Sequence, residues 1–205
     1  MQIFVTGTDT DVGKTIISSW LCLHTGYSYF KPIQTGGILG TDSCEVSKLI
    51  GTNVHKEDFV FREQLSPHLA ASIESRKINI NKINLPRVNN LIIEGAGGVL
   101  VPINENTLMV DLIKKFATPV ILVTRSTLGT INHTLLSLEA LRARNISILG
   151  IILNGPYSQD NLKAIEFYGR VQVLASVPKL QHIGKESLMQ VALSDHLKNI
   201  FKVTS

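Results

Sequence analysis

The chain has 205 residues, 44% hydrophobic and 18% charged, a balance that suits one domain with a real core and excludes a disordered chain. Its net charge of +4 is spread thinly, with no basic run longer than Lys114-Lys115, which argues against nucleic-acid binding and suits a small anionic ligand. Cys22 and Cys44 share no motif spacing, no run is apolar enough to span a bilayer, and no signal peptide is visible, so no membrane partner and a reducing cytoplasm are expected.

The elements follow in chain order. "QIFVT" reads as a buried strand that enters "GTDTDVGKT", Gly7 to Thr15, and then a helix from about Lys14 to His24. "YSYFK" is a second strand, stopped by Pro32, and the glycine-rich loop "PIQTGGILGTD" leads to a short helix, "SCEVSKLIG". "DFVFRE" suits a strand, and "SPHLAASIESR" a helix with Ser66 as its cap and Pro67 in its first turn. "INKINLPRVNN" carries no clear assignment. Then come a strand, "NNLIIEGAGG"; a helix, "MVDLIKKFA"; a strand, "PVILVT"; a helix, "INHTLLSLEALRARN"; and a strand, "ISILGIILN". "DNLKAIEFYG" is helical, "VQVLASVP" is a strand, and "ESLMQVALSDHLKNIF" reads as one closing helix. Strands apolar throughout, alternating with helices, predict an α/β fold: one doubly wound domain over 1–205, its mainly parallel sheet flanked by helices.

"GTDTDVGKT" ends as a phosphate-binding loop ends, in Gly13-Lys14-Thr15. The usual spacing is four residues between the first glycine and Gly-Lys-Ser/Thr. Here five separate Gly7 from Gly13, and two of them, Asp9 and Asp11, are acidic. A strand before and a helix after give the context a P-loop needs, with backbone N–H groups and a helix N-terminus facing phosphate. Lys14 would reach the outer phosphates of ATP, and Thr15 would offer its hydroxyl to Mg²⁺.

Ligands of open parallel sheets bind at the carboxyl ends of the strands. Lys31 ends one strand, Glu94 is read as ending another, and Asp42 follows the loop after Lys31. Each has a plainer reading: Lys31 and Glu94 as solvated strand ends, Asp42 as a helix N-cap, the last carrying equal weight. Taken together, Thr15, Asp42 and Glu94 are hard oxygen donors of the kind Mg²⁺ prefers, and Lys31 adds a cation for phosphoryl transfer.

"GTDTDVGKT", "FKPIQTG", "SPHLAA", "IEGAGGVLVPI", "PVILVTRSTLGTINHTLLSLEAL" and "GIILN", in this order from Gly7 to about Pro178, resemble the dethiobiotin synthetase family. The resemblance implies a P-loop, ATP-dependent ligase of biotin synthesis that closes a ureido ring on 7,8-diaminopelargonate with CO₂. It implies Lys14 and Lys31 as catalytic cations, and Mg²⁺ on Thr15, Asp42 and Glu94. Nucleotide contacts would come from Asp11, Val12, Gly13, Lys14, Thr15, Ile16 and Asp42, and from Glu94, Gly95, Ala96 and Gly97. Asn154 and Gly155 would meet the adenine edge, with Pro178, Lys179 and Leu180 closing over the base. Thr10, Asp11 and Thr35 would face the diamine. Leu128, Gly129, Thr130 and Asn132 would hold the substrate carboxylate across a homodimer interface; plain helix capping by Thr130 accounts for the same residues.

The rival from another class is a partition-type or regulatory ATPase switch that binds a protein partner. Such proteins commonly place an extra lysine early in the loop, where this chain has Asp9 and Asp11. His24, His55, His133, His182 and His196 lack metal-ligand spacing, and His68, part of "SPHLAA", is not expected to be catalytic.

Overall fold

A computed structural model of the chain describes residues 1–203. The elements run β1 (Gln2–Gly7), α1 (Lys14–Thr25), β2 (Ser28–Phe30), β3 (Ile33–Gln34), α2 (Asp42–Ile50), β4 (Val54–His55), β5 (Phe59–Val60) and α3 (Pro67–Ile73). They continue with β6 (Leu91–Gly98), α4 (Met109–Phe116), β7 (Val120–Arg125), α5 (Thr130–Arg142), β8 (Ile148–Asn154), α6 (Gln159–Gly169), β9 (Val173–Val177), α7 (Lys185–Gln190) and α8 (Asp195–Phe201).

Seven strands form one sheet in the order β4-β2-β6-β1-β7-β8-β9, and every pairing in it is parallel. Successive strand residues face opposite sides, so each strand feeds two cores. Phe4, Ile93 and Leu122 point to one side, where Ala70 of α3, Leu112 of α4, Leu138 of α5 and Ile165 of α6 cover them. Ile3, Val5, Ile92 and Val123 point to the other, beneath Trp20 of α1, Val46 of α2, Leu188 of α7 and Leu197 of α8. Burial on both faces is why these strands lack polar alternation. β1 lies at the centre between β6 and β7, so the loop leaving it at Gly7 emerges among the carboxyl ends of its neighbours.

Three expectations are corrected, and one unassigned segment is resolved. The loop after Pro32 is partly ordered: β3 pairs in parallel with β5 as a separate two-stranded sheet, and Gly37–Leu39 makes a 3₁₀ turn. Ser66 stands at the N-cap of α3 without capping it by its side chain, because its hydroxyl pairs with His68 Nδ1 at 3.0 Å; Pro67 does occupy the first turn. The unassigned segment before β6 contains only a 3₁₀ turn, Ile80–Lys82, pinned by buried Ile78 and Ile83 and by Lys115 Nζ, which donates to the Ile80 carbonyl at 2.6 Å. The closing helix is two helices. Val191 is extended and its carbonyl accepts from Trp20 Nε1 at 2.7 Å, Leu193 is buried, and Ser194 then caps α8 by accepting from the Leu197 N–H. A tryptophan in the core thus takes the carbonyl that a continuous helix would have used. Cys22 is buried, as its apolar surroundings suggest.

Candidate functional site

Past β1 the chain stays tied to the sheet through Thr8, whose N–H donates to the Val123 carbonyl at 3.0 Å. Asp11 and Gly13 are both left-handed, with φ of 56° and 90°. Aspartate is one of the few residues with a side chain that enters this region readily, and glycine does so freely. Between them Val12 is buried, and its carbonyl accepts from Asn154 Nδ2 at 2.9 Å. Lys14, also buried, donates to the Asp9 carbonyl at 2.9 Å. The Asp9 carboxylate turns outward to Arg125, whose Nη2 lies 2.8 Å from it and 2.9 Å from the Thr10 carbonyl. The Asp9 carboxylate is thus paired with Arg125, and Asp11 takes the left-handed turn two residues before Gly13.

Next to the loop is a buried charged cluster. Lys31, just past β2, is 6% exposed, and its ammonium contacts Asp42 Oδ2 and lies 3.0 Å from Glu94 Oε1. Thr15 Oγ1 donates to Glu94 Oε1 at 2.9 Å and approaches Asp42 Oδ2 at 3.3 Å. Glu94 does not end its strand, as the sequence suggested: β6 continues to Gly98, so the carboxylate is completely buried. Its other oxygen, Oε2, accepts from the buried Tyr29 hydroxyl at 2.9 Å. Asp42 is not the N-cap of α2. Thr41 fills that role by accepting from the Cys44 N–H, while the Asp42 N–H donates to Gln34 Oε1 at 3.0 Å, leaving the Asp42 carboxylate for the cluster.

The electrostatics follow from burial and neighbours. Burial works to lower the Lys31 pKa, but Glu94 and Asp42 together outweigh it and raise the value above the ordinary lysine range. For Lys14 burial wins, helped by repulsion from Lys31 against the pull of Glu94, Asp42 and Asp11, and its pKa is lowered. Asp42 is lowered: burial opposes this, and Lys31 overcomes it. Burial, then Glu94, pushes the Tyr29 hydroxyl well up, so it stays a donor.

A cavity of about 410 Å³ opens over these groups. Thr10, Asp11, Gly13, Lys14, Thr15 and Ile16 form one wall; Lys31, Thr35 and Asp42 a second; Glu94, Ala96 and Gly97 a third. Three further lining residues, Gln34, Glu45 and Gln64, escaped the sequence reading; the Gln34 amide on Asp42 depends on how β3 and α2 pack, for which no local pattern exists. Val12 packs in the core, and Gly95 lies against Phe4, whose ring a β-carbon there would meet at 2.9 Å. Asn154 and Gly155 sit behind the loop at the end of β8, and Pro178, Lys179 and Leu180 follow β9; none lines this cavity. Leu128, Gly129 and Thr130 line a separate hollow of about 50 Å³ with Thr8, Asp9 and Arg125, while Asn132 is exposed in the first turn of α5. Capping by Thr130 is corrected: Gly129 is the N-cap, and the buried Thr130 hydroxyl donates to the Arg125 carbonyl at 2.5 Å.

The donor set fits a divalent cation. One hydroxyl and two carboxylates converge on a point where the Lys31 ammonium already stands as a positive charge. Among the described residues no group of three or more His, Cys, Asp or Glu forms a closed metal cage. One or two carboxylates completed by phosphate oxygens and water is the arrangement Mg²⁺ favours. No helix of the described residues is long and apolar enough to cross a membrane.

A parallel sheet with a Gly-Lys-Thr loop leaving its central strand, and buried lysines and carboxylates beside that loop, defines a P-loop nucleotide-binding protein. Consistent with that class, residues 1–187 match the AAA domain family. The chain belongs to the ATP-dependent dethiobiotin synthetase family. It is 56% identical to ATP-dependent dethiobiotin synthetase BioD of Lawsonia intracellularis, over 99% of this chain and 100% of that protein. With the enzyme of the same name from Neorickettsia sennetsu it shares 44%, over 100% of this chain and 97% of the relative. Among solved structures, a ParA family ATPase from Chlorobium tepidum superimposes with a TM-score of 0.57 at 12% identity, covering 97% of this chain and 95% of its own. A putative plasmid partition protein from Borrelia burgdorferi superimposes with a TM-score of 0.53 at 10% identity, covering 98% and 97%. These two likenesses concern the fold and do not favour a switch.

Proposed function

We propose that this chain is a dethiobiotin synthetase, using ATP and CO₂ to close a ureido ring on 7,8-diaminopelargonate. The observation that carries the reading is the placement of Lys31 between Asp42 and Glu94, beside Lys14 and Thr15, under one cavity. An amine nitrogen of the diamine attacks CO₂, loses a proton and becomes a carbamate. A carbamate oxygen then attacks the γ-phosphorus, the bond to the β-phosphate oxygen breaks, and ADP leaves behind a carbamic-phosphoric anhydride. The second amine attacks the carbonyl carbon, the C–O bond to phosphate breaks, a proton is lost, and the cyclic urea and phosphate result.

The chain's part is to position reactants and offset charge. Lys14 moves from the Asp9 carbonyl to the outer phosphates, and Lys31 bridges the carbamate and the γ-phosphate. Thr15, Asp42 and Glu94 would hold Mg²⁺, which when bound neutralises phosphate charge. Thr10 and Asp11 on one wall of the cavity, and Thr35 on a second, would face the diamine. Asn154 and Gly155, with Pro178 to Leu180, take the base side of the nucleotide.

The substrate carboxylate is assigned to Leu128, Gly129, Thr130 and Asn132 at the start of α5, supplied across a homodimer. Fully exposed Leu128, and half-exposed Leu100 and Leu136 around an adjoining hollow that shares Thr8, Asp9 and His133 with the one Leu128 lines, support that interface. We infer one catalytic domain over residues 1–205, working in the cytoplasm. Phosphate release with ATP, Mg²⁺ and bicarbonate tests the reading: it should require the diamine. Release that ignores the diamine and responds to a protein partner would overturn it in favour of an ATPase switch.

A further inference from the structure

The two oxygens of Glu94 are treated differently. Oε1 faces the cavity side, where Thr15 Oγ1 and Lys31 Nζ donate to it at 2.9 and 3.0 Å. Oε2 faces the core, and among the described residues its one donor is the Tyr29 hydroxyl at 2.9 Å. Neither Glu94 nor Tyr29 has any solvent exposure, so no water competes for that bond. The ring of Tyr29 is locked in the core beneath α1 and α2, and its backbone N–H is held by the Asn53 carbonyl at 2.9 Å. Tyr29 lies two residues before Lys31 on extended chain, so both side chains leave the same face of the sheet and reach the same carboxylate.

We propose that Tyr29 is a positioning residue: its hydroxyl fixes the orientation of Glu94 so that Oε1 is the oxygen presented to a divalent cation beside Thr15 and Asp42. This rests on the metal role proposed above for those three residues. Outer partners of this kind hold a ligating carboxylate at one angle and are felt in metal affinity when removed. A buried tyrosine also needs some partner for its hydroxyl, whatever its function. The two roles separate in the metal, since a merely satisfied hydroxyl has no reason to govern cation affinity.

The test uses Tyr29→Phe, which keeps the ring and removes the O–H. Mn²⁺ binding to the full-length protein with a non-hydrolysable ATP analogue is followed by the electron paramagnetic resonance signal of free Mn²⁺. Thermal melting is recorded alongside as a check on the fold. Tyr29→Phe is expected to bind Mn²⁺ about 10-fold more weakly, while affinity for the analogue without metal is unchanged. Mn²⁺ affinity within twofold of wild type, with Glu94→Gln weakened, would overturn the role of Tyr29 and leave the metal site standing. If Glu94→Gln also bound Mn²⁺ normally, the metal assignment itself would fall, and the role of Tyr29 with it.

Discussion

Arg125, the last residue of β7, reaches across the mouth of the phosphate loop to the Asp9 carboxylate at 2.8 Å and to the Thr10 carbonyl at 2.9 Å. Exposed ion pairs contribute only about 0–1 kcal/mol to stability, so the consequence lies in the site. Arg125 cancels a negative charge carried by the phosphate loop itself. Arg125→Ala is expected to weaken ATP binding about 3-fold, roughly 0.6 kcal/mol at the 1.4 kcal/mol per decade of binding, and to leave the melting temperature nearly unchanged. Adding Asp9→Asn should restore most of the loss. Nucleotide titrations on the single and double variants check this; additive losses would contradict it.

Gly13 combines a φ of 90° with a packing limit: a β-carbon there would overlap Asn154 Nδ2. That amide holds the Val12 carbonyl at 2.9 Å. Gly13→Ala must therefore strain the backbone, by about 1–3 kcal/mol, and also displace the side chain that braces the loop. Thermal melts should show the lost stability and nucleotide titrations the lost binding. Asn154→Ala in the same chain relieves the overlap but not the strain, so rescue should be partial.

Lys14 gives opposite pH dependences to stability and to binding. Burial lowers its pKa in the folded protein, so between that lowered value and the ordinary lysine range the unfolded chain binds the extra proton. Its contribution to stability therefore rises with pH across that window. Phosphate binding needs the ammonium, so ATP affinity should fall as pH rises through the same lowered value. Melting curves and nucleotide titrations at alkaline pH, compared with Lys14→Met, measure both trends; Lys14→Met should show neither. Asp42 acts at the acid end: its lowered pKa contributes stability above the ordinary carboxylate range, and this is lost as pH falls through the lowered value.

Lys31 is buried with two carboxylates, and its removal leaves both without their cation. Lys31→Ala is expected to cut turnover by about 100-fold or more, the scale of losing one preorganised charge-stabilising donor. It should also make the metal-free protein less stable, because uncompensated buried charge is costly, with Mg²⁺ and ATP restoring part of the loss. Steady-state kinetics and melts with and without Mg²⁺ and ATP decide; near-normal turnover would remove Lys31 from the chemistry.

The parts legible in the sequence were those with a local signature. Apolar strands, the Gly-Lys-Thr loop, and Lys31 and Asp42 flanking a glycine-rich loop all declare themselves within a few residues. Contacts between distant segments did not. Arg125 and Asp9 lie 116 positions apart, and Tyr29 and Glu94 lie 65 apart; only the strand order brings them together. Glu94 looks like a strand end because "EGAGG" has the composition of a loop, whereas its glycines let β6 run on beside Thr8 and Val101. The closing helix looks continuous in sequence because its apolar spacing survives the break that Trp20 imposes at Val191.

The central claim is that a carbamate oxygen, held between Lys14 and Lys31, attacks the γ-phosphorus. Reaction with ¹⁸O-labelled bicarbonate, ATP, Mg²⁺ and the diamine, stopped before the label washes out, tests it by mass spectrometry of the released phosphate. The predicted product is phosphate carrying one ¹⁸O from the carbamate, formed in equal amount with the cyclic urea. Unlabelled phosphate from an undiluted label pool would mean that water is the nucleophile and would contradict the account.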